Sequence, residues 1–137
     1  MIFEVQDPAN FYGEKDLLFK REVFDIIGCC FAVHRELGPG FNEVVYKEAL
    51  VLEFNQKEVP FEREKPFEIM YKGKKLTRNY FCDFIIDDSI ILEIKAQGSL
   101  VDANSVQLLN YLAASKCRLG LLINFGEKSL KFKRYIL

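Results

Sequence analysis

The segment Cys82–Ala96, CDFIIDDSIILEIKA, constrains the fold more than any other part of the chain. Its runs of isoleucine and leucine predict two buried strands, yet Asp83, Glu93 and Lys95 interrupt those runs. Because an isolated charge is costly to bury, buried charges are normally paired or bound to a metal ion. The segment therefore predicts either an internal ion pair or a functional site.

The alternation of side chains along a strand decides which of these charges meet. A three-residue loop pairs Ile86 with Ile90. In that register Asp83 lies opposite Glu93, whereas a two-residue loop turns Asp83 to the other face. Like charges directly opposed across two strands are destabilising, so Lys95 or a divalent cation must compensate. Mg²⁺ binds carboxylate oxygens, and beside Lys95 it could activate water for phosphodiester hydrolysis.

A purely structural interpretation stays open at this point. An E-x-K tripeptide is common in soluble proteins, and Lys95 could simply form a salt bridge with Glu93 or Asp83 at the end of a hairpin.

Composition limits the class of protein. A chain of 137 residues with 28% charged residues predicts one globular domain. The net charge of −1 excludes a basic coating, so a nucleic-acid site would have to be a local groove. The four cysteines lack metal-ligand spacing, which indicates free thiols in a reducing compartment. No signal peptide or membrane-spanning run is evident, and we expect a cytoplasmic location without membrane association.

The order of patterns along the chain is helix, helix, strands, helix, strands, which is typical of an α+β domain. Residues 1–14 are predicted to be a leader and residues 15–137 a single domain. We expect helices at about 15–37, 43–57 and 102–115, the third capped by Asp102 or Asn104, and strands at 61–73, 76–87, 89–96, 118–126 and 130–137.

Two of the motifs resemble those of known nucleases. Asp83 followed by Glu93–Lys95 resembles the signature of the PD-(D/E)XK nuclease superfamily, with Cys82 where the name has proline. In QLLNY, Gln107 and Tyr111 have the Q-x-x-x-Y spacing of the recombination-exonuclease branch.

A third motif resembles a narrower group. Residues 40–46, GFNEVVY, resemble the signature of the GxxExxY family, a bacterial and archaeal group within that superfamily. HRELGPGF, YKGKKL, LEIKA, QLLNYL and GLLINFG resemble the same family in the same order, from about residue 19 to the C-terminus. The resemblance implies a nuclease-like α+β domain with a central mixed sheet of about four main strands, flanked by helices.

The resemblance also implies a role for each polar residue. A site for Mg²⁺ or Mn²⁺ would be formed by carboxylates and one backbone carbonyl, those of Asp83, Glu93, Glu43 and Ile94. Lys95 would position the attacking water or stabilise charge on the phosphate, and Gln107 would orient Lys95 or the phosphate. Asn104 stands near the position where family members often carry a histidine.

The implied function is a nuclease that cleaves DNA, or alternatively RNA. The basic hairpin tip would contact the nucleic-acid backbone together with the tyrosine of the third helix, through Lys72, Lys74, Lys75, Arg78 and Tyr111. A second basic set on the last strand would contact the backbone in the same way, through Lys131, Lys133 and Arg134. The alternative is a non-catalytic nucleic-acid- or protein-binding module that retains the fold. The mode of cleavage and the oligomeric state stay open.

Three residues have less direct interpretations. His34, the only histidine, is predicted to be a helix residue with a structural role rather than a ligand. Tyr46 lies three residues after Glu43 on the same helix face, so it either packs in the core or hydrogen-bonds to the acidic site. Tyr111 is predicted to pack in the core with its hydroxyl near the site.

Overall fold

The computed structural model describes residues 19–137 and the backbone of residues 3–5. The helices are α1 (Lys20–Leu37), α2 (Glu43–Gln56) and α3 (Asp102–Ser115). The strands are β1 (Phe3–Val5), β2 (Phe61–Arg63), β3 (Pro66–Tyr71), β4 (Lys74–Phe81), β5 (Phe84–Ile86), β6 (Ile90–Lys95), β7 (Leu119–Asn124) and β8 (Lys131–Ile136). Of the predicted leader, residues 1–14, only β1 is described. The rest of the leader and the predicted helix start at about residue 15 lie outside the described residues.

The two long helices near the start of the chain form where the apolar pattern predicts them. In α1 a stripe at steps of three and four is buried, made of Val23, Ile26, Ile27, Cys30 and Val33. The helix ends at Gly38, whose φ of 65° favours glycine. The N–H of Gly38 donates to the carbonyl of His34 at 2.8 Å, which satisfies one of the last carbonyls of the helix.

The start of α3 differs from the prediction. The residue preceding the helix is Val101, so neither Asp102 nor Asn104 is the capping residue. Asn104 lies in the first turn, and its Oδ1 accepts the N–H of Val101 at 2.9 Å. The amide therefore acts from inside the helix on the chain that enters it, as the third residue of a capping box does.

The central sheet is mixed and has six strands in the order β1-β8-β7-β6-β5-β2. Strands β6 and β7 are parallel, and the other neighbouring pairs are antiparallel. The sheet is larger than the four main strands expected, because the short strands β1 and β2 extend its two edges. The α+β architecture with a mixed sheet flanked by helices is confirmed.

The strand-like runs at 61–73 and 76–87 each break into two strands, contrary to the prediction of one strand each. The first break falls at Glu64, whose φ of 50° interrupts an extended chain, and is followed by Pro66, which has no N–H to donate. The second falls just before Phe84. As a result β2 and β5 stay in the central sheet, while β3 and β4 form a separate two-stranded hairpin.

Helices cover both faces of the sheet. One apolar cluster joins α1 and α2 to the sheet residues Phe84, Ile86, Leu92, Ile94 and Ile123, among others. The second joins α3 to the opposite face, through Leu108, Leu112, Ile85, Ile91 and Leu122. Residues Ile91 and Leu92 thus face opposite layers, as strand alternation requires. Within the described residues, no helix combines the length and apolar character that crossing a membrane requires.

A buried asparagine joins the carboxyl ends of the parallel strands β6 and β7. Asn124 Oδ1 accepts the N–H groups of Gln97 at 2.9 Å and Gly126 at 3.1 Å, and its Nδ2 donates to the carbonyl of Gln97 at 3.0 Å. The N–H of Phe125 donates to the carbonyl of Lys95 at 2.8 Å. These bonds bring Gly126 so close to the chain after β6 that no side chain fits there, and they fix the end of the strand that carries Lys95.

Replacing Gly126 with alanine should destabilise the protein by roughly 1–3 kcal/mol, because the new Cβ would overlap the backbone of Gln97 and Ala96. Gly98→Ala is the matched control, since nothing lies within 4 Å of a Cβ at that position. Its stability should stay within about 0.5 kcal/mol of the parent. Denaturant unfolding measures both variants. Indistinguishable midpoints for Gly126→Ala and Gly98→Ala would contradict the close packing.

Candidate active site

The β5–β6 hairpin has the register that the sequence predicts. Ile86 pairs with Ile90, which leaves a three-residue loop, and Phe84 pairs with Leu92. The next opposed residues in this register are Asp83 and Glu93. The loop residues Asp87 and Asp88 have φ of 51° and 52°, a left-handed conformation that aspartate tolerates in turns.

Asp83 and Glu93 are held together by hydrogen bonds to each other's strand. The N–H of Asp83 donates to Glu93 Oε1 at 2.9 Å, and the N–H of Ile94 donates to Asp83 Oδ2 at 2.7 Å. Glu93 is only 2% exposed. Burial, together with the charge of Asp83, raises the pKa of Glu93 well above its usual range, against the opposing effects of the Asp83 N–H, Lys95 and Lys47. The pair is thus a buried acidic site that gains from a nearby cation.

The cation in contact with Asp83 is Lys47, which the sequence analysis missed. Its Nζ lies 2.7 Å from Asp83 Oδ1 and 3.8 Å from Glu43 Oε1. Burial acts to lower the pKa of Lys47, but the hydrogen bond and charge of Asp83, with the charges of Glu43 and Glu93, outweigh burial and raise it. The spacing of four residues from Glu43 places both side chains on one face of α2, and this was the available signal.

Lys95 is held by α3 instead of by the acidic pair. Its Nζ donates to Gln107 Oε1 at 2.9 Å, and Gln107 Nε2 donates to the hydroxyl of Tyr111 at 3.2 Å. Among the described residues, the ion pairs within 4.0 Å include none between Lys95 and Asp83 or Glu93. The salt bridge that the purely structural interpretation requires is therefore absent from this part of the chain.

Tyr111 lies beside the acidic pair. Its side chain is buried, and its ring meets that of Tyr80 edge to face at a centroid distance of 5.8 Å. Burial and the negative charges of Glu93 and Asp83 raise the pKa of Tyr111 to about 12. The hydroxyl therefore stays protonated near neutral pH and is near the site, in agreement with its predicted placement.

Glu43 lies at the edge of the site. It is the first residue of α2, its side chain is 40% exposed, and its connection to Asp83 runs through Lys47. At Ile94 the observed contact to Asp83 is made by the N–H, and the carbonyl remains a predicted metal ligand. Glu43 is thus close enough to influence the site, without touching Asp83 or Glu93 directly.

The tyrosine of the G-x-x-E-x-x-Y motif anchors a loop. The hydroxyl of Tyr46 donates to the carbonyl of Gly38 at 2.6 Å and accepts the N–H of Phe41 at 3.2 Å. Its ring stacks on Phe125 with centroids 4.7 Å apart. Of the two interpretations of Tyr46, core packing is therefore correct, and its hydrogen bonds go to the α1–α2 loop instead of the acidic site.

Two other residue types have the structural roles expected of them. His34 Nε2 lies 2.9 Å from the carbonyl oxygen of Glu127, so the only histidine has a backbone partner. All four cysteines are free and buried, which confirms the absence of disulfides within the described residues.

A groove beside Gln107 is lined by strand β4 of the β3–β4 hairpin and by α3. Its volume is about 560 Å³, and its walls include Arg78, Asn79, Tyr80, Asn104, Gln107, Asn110 and Tyr111. The hairpin tip carries Lys72, Lys74 and Lys75, all exposed. Lys75 already pairs with Glu68 at 2.9 Å. Arg78 and Tyr111 thus line one groove, and the three lysines lie at the far end of the hairpin.

The second basic set does not lie on one surface. On β8 Lys131 is exposed, but Arg134 is completely buried, so the predicted contact between Arg134 and a phosphate backbone is wrong. The reason is strand alternation together with coverage of β8 by the layers on either side of the sheet.

The donor chemistry of the site fits a hard divalent cation. Asp83 and Glu93 offer carboxylate oxygens, the ligands that Mg²⁺ and Mn²⁺ prefer, and their mutual repulsion favours a cation between them. Within the described residues, however, no three acidic, histidine or cysteine side chains converge as a ready metal cluster. A metal site would therefore consist of Asp83 and Glu93, with Glu43 at its margin.

A mixed sheet flanked by helices, with this acidic hairpin and its lysine, defines a nuclease-type α+β domain. A family model described as the PD-(D/E)XK nuclease superfamily matches residues 20–135. The chain belongs to that superfamily. This chain is similar to the structure titled "Crystal structure of SSO0001", with 16% sequence identity and a TM-score of 0.48. The match covers 91% of this chain and 77% of that chain. Comparison with curated proteins finds no match.

The free energy of unfolding of the parent should fall as pH rises because of Glu93, and replacing Glu93 with glutamine should remove that fall. Because folding raises the pKa of Glu93, the folded protein holds its proton more tightly than the unfolded chain. Its contribution is therefore fully present below the ordinary value of 4.5 and is lost as pH rises toward the shifted pKa. In chelator at pH 8, Glu93→Gln should be more stable than the parent by roughly 1–3 kcal/mol.

Denaturant unfolding at several pH values measures this effect. The difference between Glu93→Gln and the parent should shrink toward pH 4.5. Glu48→Gln is the matched control at an exposed carboxylate on α2, and its curve should run parallel to that of the parent. If the Glu93→Gln curve also runs parallel to that of the parent, the raised pKa of Glu93 is wrong.

Proposed function

We propose that this protein is a metal-dependent nuclease that hydrolyses phosphodiester bonds, with DNA as the first substrate to test and RNA as the second. One observation carries the proposal beyond the superfamily. The lysine of the E-x-K motif is held by the neutral amide of Gln107, while a different lysine balances Asp83. No carboxylate contact therefore offsets the positive charge of Lys95, which would be available to a phosphate bound next to the acidic pair.

The proposed division of roles follows from these contacts. Asp83 and Glu93 would hold Mg²⁺ or Mn²⁺, with the carbonyl of Ile94 and the carboxylate of Glu43 completing the ligands. When bound, the ion would neutralise phosphate charge and make a water more acidic. Lys95 would stabilise the charge that develops on the phosphate or orient the attacking water. Gln107 would hold the ammonium group in place.

The groove between the hairpin and α3 supports nucleic acid as the partner. It offers one guanidinium group, several side-chain amides and two tyrosines, and it includes Gln107, which contacts Lys95. We propose that Arg78 and Tyr111 contact substrate there, and that the exposed Lys72, Lys74 and Lys75 contact the backbone further along. Phosphate contacts of this kind position a nucleic acid without selecting a sequence.

The GxxExxY family is the narrower assignment that we propose. Its three named positions have distinct physical roles here. Gly40 has φ of 115°, a conformation open to glycine, Glu43 begins α2 at the edge of the site, and Tyr46 anchors the loop between them and α1. The motif thus combines a loop geometry with one carboxylate that faces the site.

The non-catalytic binding module is the weaker alternative. A domain that has lost its chemistry is free to lose a carboxylate or the lysine, whereas Glu43, Asp83, Glu93 and Lys95 are all present. The preserved contact between Lys95 and Gln107 also favours turnover, since binding alone does not require an oriented ammonium group.

Lys95→Met should abolish cleavage while leaving the fold and nucleic-acid binding nearly intact. The stem of the side chain is kept and only the charge that acts in the transition state is lost, so we expect roughly a 10²–10³-fold lower rate. Asp83→Asn should lower the rate at least as much, because it weakens the metal site. The measurement is single-turnover cleavage of single- and double-stranded DNA and RNA with Mg²⁺ or Mn²⁺.

The control is Lys128→Met, which removes an exposed lysine from the β7–β8 turn and should cleave like the parent. Substrate affinity and melting temperature of each variant separate chemistry from binding and folding. If the parent cleaves none of the substrates with either metal, the nuclease proposal fails. If Lys95→Met matches the parent, the assignment of Lys95 fails.

A further inference from the structure

The ammonium group of Lys47 contacts one of the carboxylate oxygens of the acidic site. Asp83 Oδ2 accepts the N–H of Ile94, and Glu93 Oε1 accepts the N–H of Asp83. Of the two carboxylate oxygens of Asp83, Oδ2 is the one that a backbone N–H uses, and Lys47 Nζ contacts the other, Oδ1, at 2.7 Å. Both side chains of this ion pair are mostly buried, with exposures of 17% for Lys47 and 14% for Asp83.

We propose that Lys47 is a positioning residue that occupies the cation position at Asp83 in the metal-free protein and thereby sets the affinity for divalent metal. This inference rests on the proposed function only in taking Asp83 as a metal ligand. Because Asp83 Oδ2 already accepts a backbone N–H, a divalent ion would take Asp83 Oδ1, the oxygen that Lys47 contacts, and two cations at contact distance on one oxygen repel each other. Binding of the ion therefore releases the ammonium group from Asp83.

The positive charge of Lys47 should stabilise the metal-free site and weaken the binding of a divalent ion. In the metal-free protein Lys47 offsets the repulsion between Asp83 and Glu93, which would otherwise leave a buried negative charge uncompensated. The same positive charge opposes an incoming cation over a few ångströms of partly desolvated protein. By thermodynamic linkage, whatever free energy Lys47 contributes to the metal-free site is subtracted from metal binding.

A second carboxylate, that of Glu43, lies close enough to accept the ammonium group of Lys47 after its release. Glu43 Oε1 lies 3.8 Å from Lys47 Nζ, one helical turn away on α2. The ammonium group can thus leave Asp83 and stay close to Glu43 Oε1, while the second carboxylate oxygen of Glu43 would remain for the ion, so the exchange does not require Lys47 to become unpaired. Lys47 comes from α2, whereas Asp83 directly precedes β5, so the competition also links the helix layer to the sheet.

The experiment measures binding of Ca²⁺ and Mn²⁺ by calorimetry to the full chain without nucleic acid. Lys47→Met removes the charge and Lys47→Gln keeps a hydrogen-bond donor toward Asp83, and both should bind the ions about tenfold or more tightly than the parent. Lys47→Arg keeps the charge and should restore affinity to within about threefold of the parent. Lys65→Met removes a lysine that is paired with the carboxylates of Glu62 and Asp88, and its metal affinity should equal that of the parent.

Melting temperatures provide a second readout. Without metal, Lys47→Met should melt below the parent, and saturating Mn²⁺ should raise its melting temperature more than that of the parent. A merely structural lysine would lower stability without tightening metal binding. If the Lys47→Met variant does not fold, Lys47→Gln carries the test.

Equal or weaker metal affinity in the neutral variants would overturn the inference and leave the nuclease proposal standing, since cleavage by the parent decides that proposal separately. Absence of metal binding in every variant would also overturn it. Tighter binding in both neutral variants, with parental affinity in Lys47→Arg, is the result that supports it.

Discussion

The site depends on a reciprocal pair of hydrogen bonds between the ends of β5 and β6. The carboxylate of Glu93 accepts the N–H of Asp83, and the carboxylate of Asp83 accepts the N–H of Ile94. These bonds continue the pairing of the hairpin beyond the last paired strand residue, but with side chains as acceptors. They therefore bring two carboxyl groups together in a largely buried place, and two lysines lie near them, Lys47 from α2 and Lys95 from β6 itself.

The two lysines have different partners, and the difference has chemical meaning. Lys47 contacts a carboxylate, so the charges of that pair largely cancel. Lys95 contacts the amide oxygen of Gln107, which fixes an ammonium group without neutralising it. A lysine held by an amide keeps its full electrostatic effect on a third group, and a lysine held by a carboxylate does not. The distinction separates a residue able to act on a phosphate from one that stabilises the acidic site.

The sequence predicted those parts that depend on local patterns, and it failed where distant segments meet. The hairpin register followed from the loop length after Ile86, and α1 followed from its apolar stripe. The break at Glu64 depends on a left-handed residue for which no side-chain pattern exists. The contact between Lys47 and Asp83 joins residues far apart in the chain, and only the packing of α2 brings them together. Strand alternation alone also could not tell that β8 is covered where Arg134 lies.

Tyr46 joins the α1–α2 loop to Phe125, the residue directly after β7, and makes no contact with the carboxylates. In the GxxExxY signature proposed above, the role of Tyr46 is thus an architectural one. A domain could keep that tyrosine and its glycine for folding reasons long after losing the chemistry, because neither touches the reacting groups. A search for this motif alone would select the glycine and tyrosine of the loop, so whether a protein that carries it is an enzyme has to be judged from the carboxylates and the lysine held by the amide.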